Sequence, residues 1–120
     1  MNHAYANNVY KNNQVMIAPK KKLLIMLYDG AIKNLKLAEM AIANKEIEKT
    51  NNCLTKTQNI IAELMSTLNF DAGGDIAKNL YQLYDYMFMK LIRANIDKDV
   101  EGVIEVKQFL EELRETWVQI

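Results

Sequence analysis

Between Pro19 and Trp117 the apolar residues return at steps of three and four, in four successive runs. That spacing gathers each run onto one face of a helix, and no stretch alternates with the period of two that a half-buried strand needs. Leu24, Leu27, Ala31, Leu35, Ala38 and Ile42 make the first run, with Pro19 suited to a first helical position. Asn44 reads as the cap of the next, with Glu46 and Glu48 at the positive end of its dipole. Ile47, Leu54, Ile61, Leu64 and Leu68 continue it. Phe70-Asp71-Ala72-Gly73-Gly74 reads as a turn, because paired glycines break a helix and allow positive φ. Asp75 then caps a third run of Ile76, Leu80, Leu83, Met87, Leu91 and Ala94. Asp99 caps a fourth of Val103, Val106, Leu110, Leu113 and Trp117. Helices are therefore expected at about 19–43, 45–69, 75–95 and 99–118.

Four helices with short links fold most simply as an all-α, antiparallel up-down-up-down four-helix bundle. The alternative is a long coiled-coil hairpin that dimerises, and the Gly-Gly turn and broad apolar faces favour the closed bundle. One domain over residues 19–120 is large enough to bury a core without disulfides or metal. Residues 1–18 do not share the pattern. They are rich in Asn and poor in apolar residues, with Tyr5, Val9, Tyr10, Val15 and Ile17 spread along them. The expectation is a mobile N-terminal arm that docks somewhere apolar, or a frayed terminus.

Charge and chemistry exclude more than they assign. Fifteen basic and fifteen acidic residues cancel, so no global field recruits nucleic acid or anionic lipid. The cancellation hides a gradient, from net +5 over residues 1–45 to −4 over 99–120. Solvated helix faces explain such a gradient as well as an oriented partner does. Lys20-Lys21-Lys22 has the same two readings.

His3 is the only histidine, which removes a di-iron Glu-x-x-His site, a haem ligand and His-assisted catalysis. Cys53 is alone, so no internal disulfide forms, and its place on a helix beside Leu54 suits a small core residue better than a nucleophile. The glycines make neither a phosphate loop nor a dinucleotide fingerprint. Asp29 and Asp85 each sit beside tyrosines, where caps, ion pairs or hydrogen bonds compete with an acid–base couple. No catalytic site, cofactor or metal is expected. The polar N-terminus lacks the apolar core of a signal peptide, and the longest apolar run, Leu23–Tyr28, is too short to span a bilayer. A cytoplasmic protein without membrane insertion follows as the expectation.

What remains is surplus apolar surface. YQLYDYMFMKLI, residues 81–92, places Leu83, Met87 and Leu91 on one side of a helix and Tyr81, Tyr84, Phe88 and Ile92 on an adjoining one. The first helix likewise carries Leu23, Ile25, Tyr28 and Ile32 beyond its main stripe. Helices that each meet two neighbours use wide stripes in the core, while an exposed stripe of Tyr, Met and Phe suits a partner's amphipathic helix. Gly30 is open to the same two readings, a tight helix crossing or a close approach by a partner's backbone.

The residues themselves resemble a family. Tyr10, a short polar spacer, Val15 and Pro19 precede Leu-Leu-Ile-Met-Leu-Tyr28-Asp29-Gly30-Ala-Ile32. Gly73-Gly74-Asp75-Ile76-Ala77-x-Asn79-Leu80, Leu83-Tyr84-Asp85-Tyr86-Met87, Ala94-Asn95-Ile96 and Leu113-Arg114-Glu115-Thr116-Trp117 follow in order. This pattern is similar to that of the FliS-type flagellar export chaperones. The resemblance implies a cytoplasmic protein that binds the disordered C-terminal segment of flagellin, prevents premature polymerisation and passes it to the flagellar type III export apparatus.

It also implies a client wrapped around the bundle, with the arm covering part of that surface when it is empty. Candidate client residues are then Leu23, Ile25, Tyr28, Ile32, Tyr81, Tyr84, Phe88 and Ile92, with Tyr10, Val15 and Ile17 as the cap. The free protein is expected as a monomer or weak dimer. The family often has Ser or Thr before the helix-starting proline, where this chain has Ala18. The alternative is a helical adaptor or regulator whose surplus face binds another partner or its own copy.

Overall fold

The computed structural model describes the backbone from Asn2 to Ile120 and side chains from Lys20 onward. Four helices follow one another: α1 (Asn2–Ala43), α2 (Ile47–Ser66), α3 (Phe70–Asp97) and α4 (Val100–Gln119). No strand occurs among the described residues. Short links make consecutive helices antiparallel neighbours, and α4 returns against α1 to close the ring. Among the described residues α1 and α3 stand on one diagonal of the ring and α2 and α4 on the other, with no close backbone approach across either. The fold is therefore the antiparallel four-helix bundle that the periodicity predicts. The backbone of residues 2–18 is helical and continuous with α1, where the sequence reading expects an arm ahead of a helix starting at Pro19; what Tyr10, Val15 and Ile17 touch lies outside the described side chains.

The three-four stripes meet in one core. Leu35 of α1, Leu54, Ile61 and Leu64 of α2, Met87 and Leu91 of α3, and Val103, Val106 and Leu110 of α4 are all fully buried. Cys53 lies buried among them as a free thiol. Two buried threonines on α2 return their hydroxyls to the preceding turn, Thr50 to Glu46 O at 2.8 Å and Thr57 to Cys53 O at 2.9 Å. That satisfies both donors without a cross-helix partner. Gly30 faces α2, where a Cβ would meet Ile60 Cδ1 at 3.4 Å, an ordinary contact that leaves room for a small side chain.

The corners depart from expectation in instructive ways. α1 closes with the amide of Lys45 donating to Ile42 O at 3.1 Å and that of Glu46 to Ala41 O at 2.8 Å. Those two bonds form a Schellman end, with Lys45 in the left-handed region at φ 58. Because the chain spends residues 44–46 finishing α1, Asn44 does not cap α2. Helix α2 starts at Ile47 behind Glu46, without a side-chain cap.

Residues 70–73, expected as part of a turn, form the first turn of α3 instead. Asn69 caps them by accepting from Ala72 N at 3.1 Å, and the irregularity is confined to Gly74. Asp99 caps α4 as its position suggests, accepting from Glu101 N at 3.1 Å. Lys98 at the same corner donates to Asn51 Oδ1 at 2.6 Å and to Asn95 O and Oδ1 at 2.6 and 2.7 Å, fastening the α3–α4 link to α2.

Lys45 carries a side chain where glycine is the unstrained residue. Lys45→Gly is expected to stabilise the bundle by about 0.5–1 kcal/mol. A higher urea midpoint at unchanged slope is the readout.

Candidate functional site

Two of the expected surface tyrosines turn out to be core residues. Tyr28 on α1 and Tyr84 on α3 are buried, and their hydroxyls hydrogen-bond to each other across the bundle's diagonal. Trp117 on α4 donates its indole Nε1–H to the Tyr28 oxygen at 3.2 Å. A phenol has an apolar ring and a polar tip, so a buried one needs a partner for the tip. Here each tyrosine supplies the other's. Burial raises the Tyr28 hydroxyl above the ordinary tyrosine value, partly offset by hydrogen bonds with Tyr84 and Trp117. Burial raises Tyr84 further, helped by the nearby Tyr28 charge and hydrogen bond. Both phenols therefore stay protonated through the neutral range.

The second stripe of each helix is thus divided. Ile32 joins Tyr28 and Tyr84 in the core, while Ile25, Phe88 and Ile92 are half-buried. Leu23 and Tyr81 alone among the eight candidates are exposed, at 53% and 41%. The pair Tyr28–Tyr84 sets the register of α1 against α3. Leu23 precedes Tyr28 by five residues and Tyr81 precedes Tyr84 by three, so both lie toward the same end of the bundle. Met26, Phe70, Ile76, Val118 and Ile120 are exposed toward that end as well.

Periodicity misses four of these because they fall off the stripes or at helix ends, and it places Ile76 on the core stripe of the third run, where the structure leaves it 72% exposed. The available signal for Met26 was its place inside the unbroken Leu23–Tyr28 run. Helices α1 and α3 are diagonal, so a partner touching both candidate stripes has to cross α2 or α4 rather than lie in one straight groove.

Charged groups frame this surface. Arg114 on α4 pairs with Asp29 on α1, and the carboxylate holds the guanidinium above its ordinary value. Asp29 is therefore an ion-pair partner. Lys107 Nζ lies 2.5 Å from Glu39 Oε1, without hydrogen-bond alignment, at the further α4–α1 contact. Tyr86 donates to Glu105 Oε1 at 2.7 Å, which raises its own pKa, and its ring stands edge-on to Phe109. Among the described residues no group of three or more His, Cys, Asp and Glu is placed to hold a metal. No helix among them is long and apolar enough to cross a membrane. The surface dents of about 260 and 410 Å³ lie around the α1–α2 corner, away from the exposed aromatic residues.

Comparison with known proteins assigns the chain to a family. A family model described as "Flagellar protein FliS" matches residues 1–120. The chain is 38% identical over 110 residues to the flagellar secretion chaperone FliS of Bacillus subtilis, covering 92% of this chain and 81% of that protein. It is 37% identical over 118 residues to that of Salmonella typhimurium, covering 98% and 87%. With that of Campylobacter jejuni it shares 32% over 120 residues, covering 100% and 94%. These relatives carry the names of chaperones, a non-enzymatic class. On the match over its whole length and these identities, the chain belongs to the FliS family of flagellar proteins.

Proposed function

We propose that this protein is a chaperone of the bacterial cytoplasm that binds the disordered C-terminal segment of flagellin. It keeps the subunit from polymerising early and hands it to the flagellar type III export apparatus. The observation that carries the reading is the match along nearly the whole chain to proteins named flagellar secretion chaperones. The surface supports it. A segment that is disordered alone loses several kcal/mol in ordering when it binds, so it needs broad apolar contact in return. Leu23, Met26, Ile76 and Tyr81 expose such surface on helices held apart by the bundle, which suits a client that wraps.

Filament assembly tests this directly. Equimolar protein is expected to suppress polymerisation of purified flagellin, and flagellin lacking its C-terminal segment should fail to pull the protein down. Undiminished polymerisation in the presence of folded protein would refute the reading. A self-association accounting for the apolar surface would instead show as a dimer mass in solution that added flagellin leaves unchanged.

A further inference from the structure

The start of α3 uses two adjacent glycines for two different reasons. Gly74 has φ 52 and ψ −125, a conformation that a side chain opposes. At Gly73 a Cβ would lie 2.8 Å from the Cβ of Ala77, two atoms fixed by backbone. Together they let residues 70–73 form a single helical turn that bends onto the body of α3. This strap is lightly held. Asn69 caps it through Ala72 N, Gly73 N donates to Asn69 O at 2.7 Å, and the Phe70 ring stands 5.8 Å from that of Tyr81 at 60°. Phe70 is half exposed, and Asp71 and Ala72 are exposed. A segment with few buried contacts and solvent-facing backbone bonds opens ahead of the fold that carries it.

We propose that Phe70 is a built-in occupant of one apolar subsite of the client face. The strap swings about Gly74, and an aromatic or long aliphatic side chain of the flagellin tail takes Phe70's place against Tyr81. This rests on the client reading above. The ring pair itself defines the chemistry of the replacement, since what fits against Tyr81 in the empty protein is a flat apolar group. Tethering keeps Phe70 at high effective concentration, so Tyr81 stays partly covered until a client competes. Glycine at 74 permits the bend, and its freedom in φ lets the strap leave without strain elsewhere.

The test is calorimetric titration with a synthetic peptide of the flagellin C-terminal segment from the same bacterium, beside amide hydrogen exchange of the free protein. Phe70→Ala removes the competitor and is expected to tighten binding by about three- to tenfold, the range set by loss of one aromatic pair. Tyr81→Ala should weaken binding, and adding Phe70→Ala to it should change nothing further. The amides of Ala72 and Gly73 should exchange ahead of that of Leu91, and faster still in Phe70→Ala.

Weaker binding by Phe70→Ala would overturn the proposal, because Phe70 would then be a client contact. Unchanged binding would overturn it as well. If the wild-type protein fails to bind the peptide, the client reading has failed and takes the ligand half of the proposal with it. The hinge half is then decided by exchange, and is overturned if strap and core amides exchange in step.

Discussion

Above about pH 10 the bundle is expected to lose stability steeply, and two residues are responsible. Tyr28 and Tyr84 are held above the ordinary tyrosine value mainly by burial. In that range the unfolded chain releases protons that the folded chain retains, so rising pH favours unfolding. The stability contributed by the protonated pair is fully present below the unfolded value and is lost as pH climbs toward the folded values. A group held well above its unfolded value contributes a slope of about 1.4 kcal/mol per pH unit, so two units cost on the order of 3 kcal/mol through Tyr84 alone, with Tyr28 acting in the same direction. That is a large share of the stability of a small domain.

Urea titrations at stepped pH give the slope, and phenolate absorbance dates the ionisation. In Tyr28→Phe/Tyr84→Phe most of the decline should vanish; an equal decline there would show that other groups cause it. The single variants separate the roles at neutral pH. Tyr28→Phe strands both Trp117 Nε1 and the Tyr84 hydroxyl and should cost about 1–3 kcal/mol. Tyr84→Phe leaves the Trp117–Tyr28 bond in place and should cost about 1 kcal/mol.

Leu91→Ala is expected to destabilise the protein by about 2–5 kcal/mol, while Leu23→Ala should change stability by less than about 0.5 kcal/mol. Both are leucines on the helices with the widest apolar faces. Leu91 is fully buried against the shared core, and its loss leaves a cavity that close-packed neighbours fill only in part. Leu23 is 53% exposed and has little to lose. A chemical-denaturation midpoint that falls sharply for the first and hardly moves for the second would establish which apolar residues hold the fold. Equal losses would mean that the exposed end is part of the stabilising core.

The contrast also shows what periodicity reveals. Leu35, Leu54, Ile61, Leu64, Met87, Leu91, Val103, Val106 and Leu110 stand in the core because steps of three and four face one side of a helix, whatever the neighbours are. The bundle was legible for that reason. Tyr28 and Tyr84 were legible only as apolar surplus. Their burial depends on a partner fifty-six residues away, and no local pattern encodes a diagonal hydroxyl pair. Asn44 failed as a cap because the closing bonds of α1 claim the same residues, a competition settled by geometry. Gly73-Gly74 announced positive φ correctly at Gly74, yet the chain resumes a helix before it, because Asn69 caps that short turn. Met26 escaped notice, and Ile76 was read as part of the core stripe, for a simpler reason: exposure is decided by where neighbouring helices end.

On the function proposed above, the exposed apolar end serves a flagellin tail. Calorimetric titration with a peptide of the last ~40 residues of flagellin from the same bacterium, a span long enough to fold as it binds, tests it most directly. Saturable one-to-one binding with a large negative heat-capacity change is the predicted result, because apolar burial on both chains must accompany ordering of the tail. A folded, monomeric protein that releases no binding heat at any temperature, and leaves the peptide disordered, would contradict it.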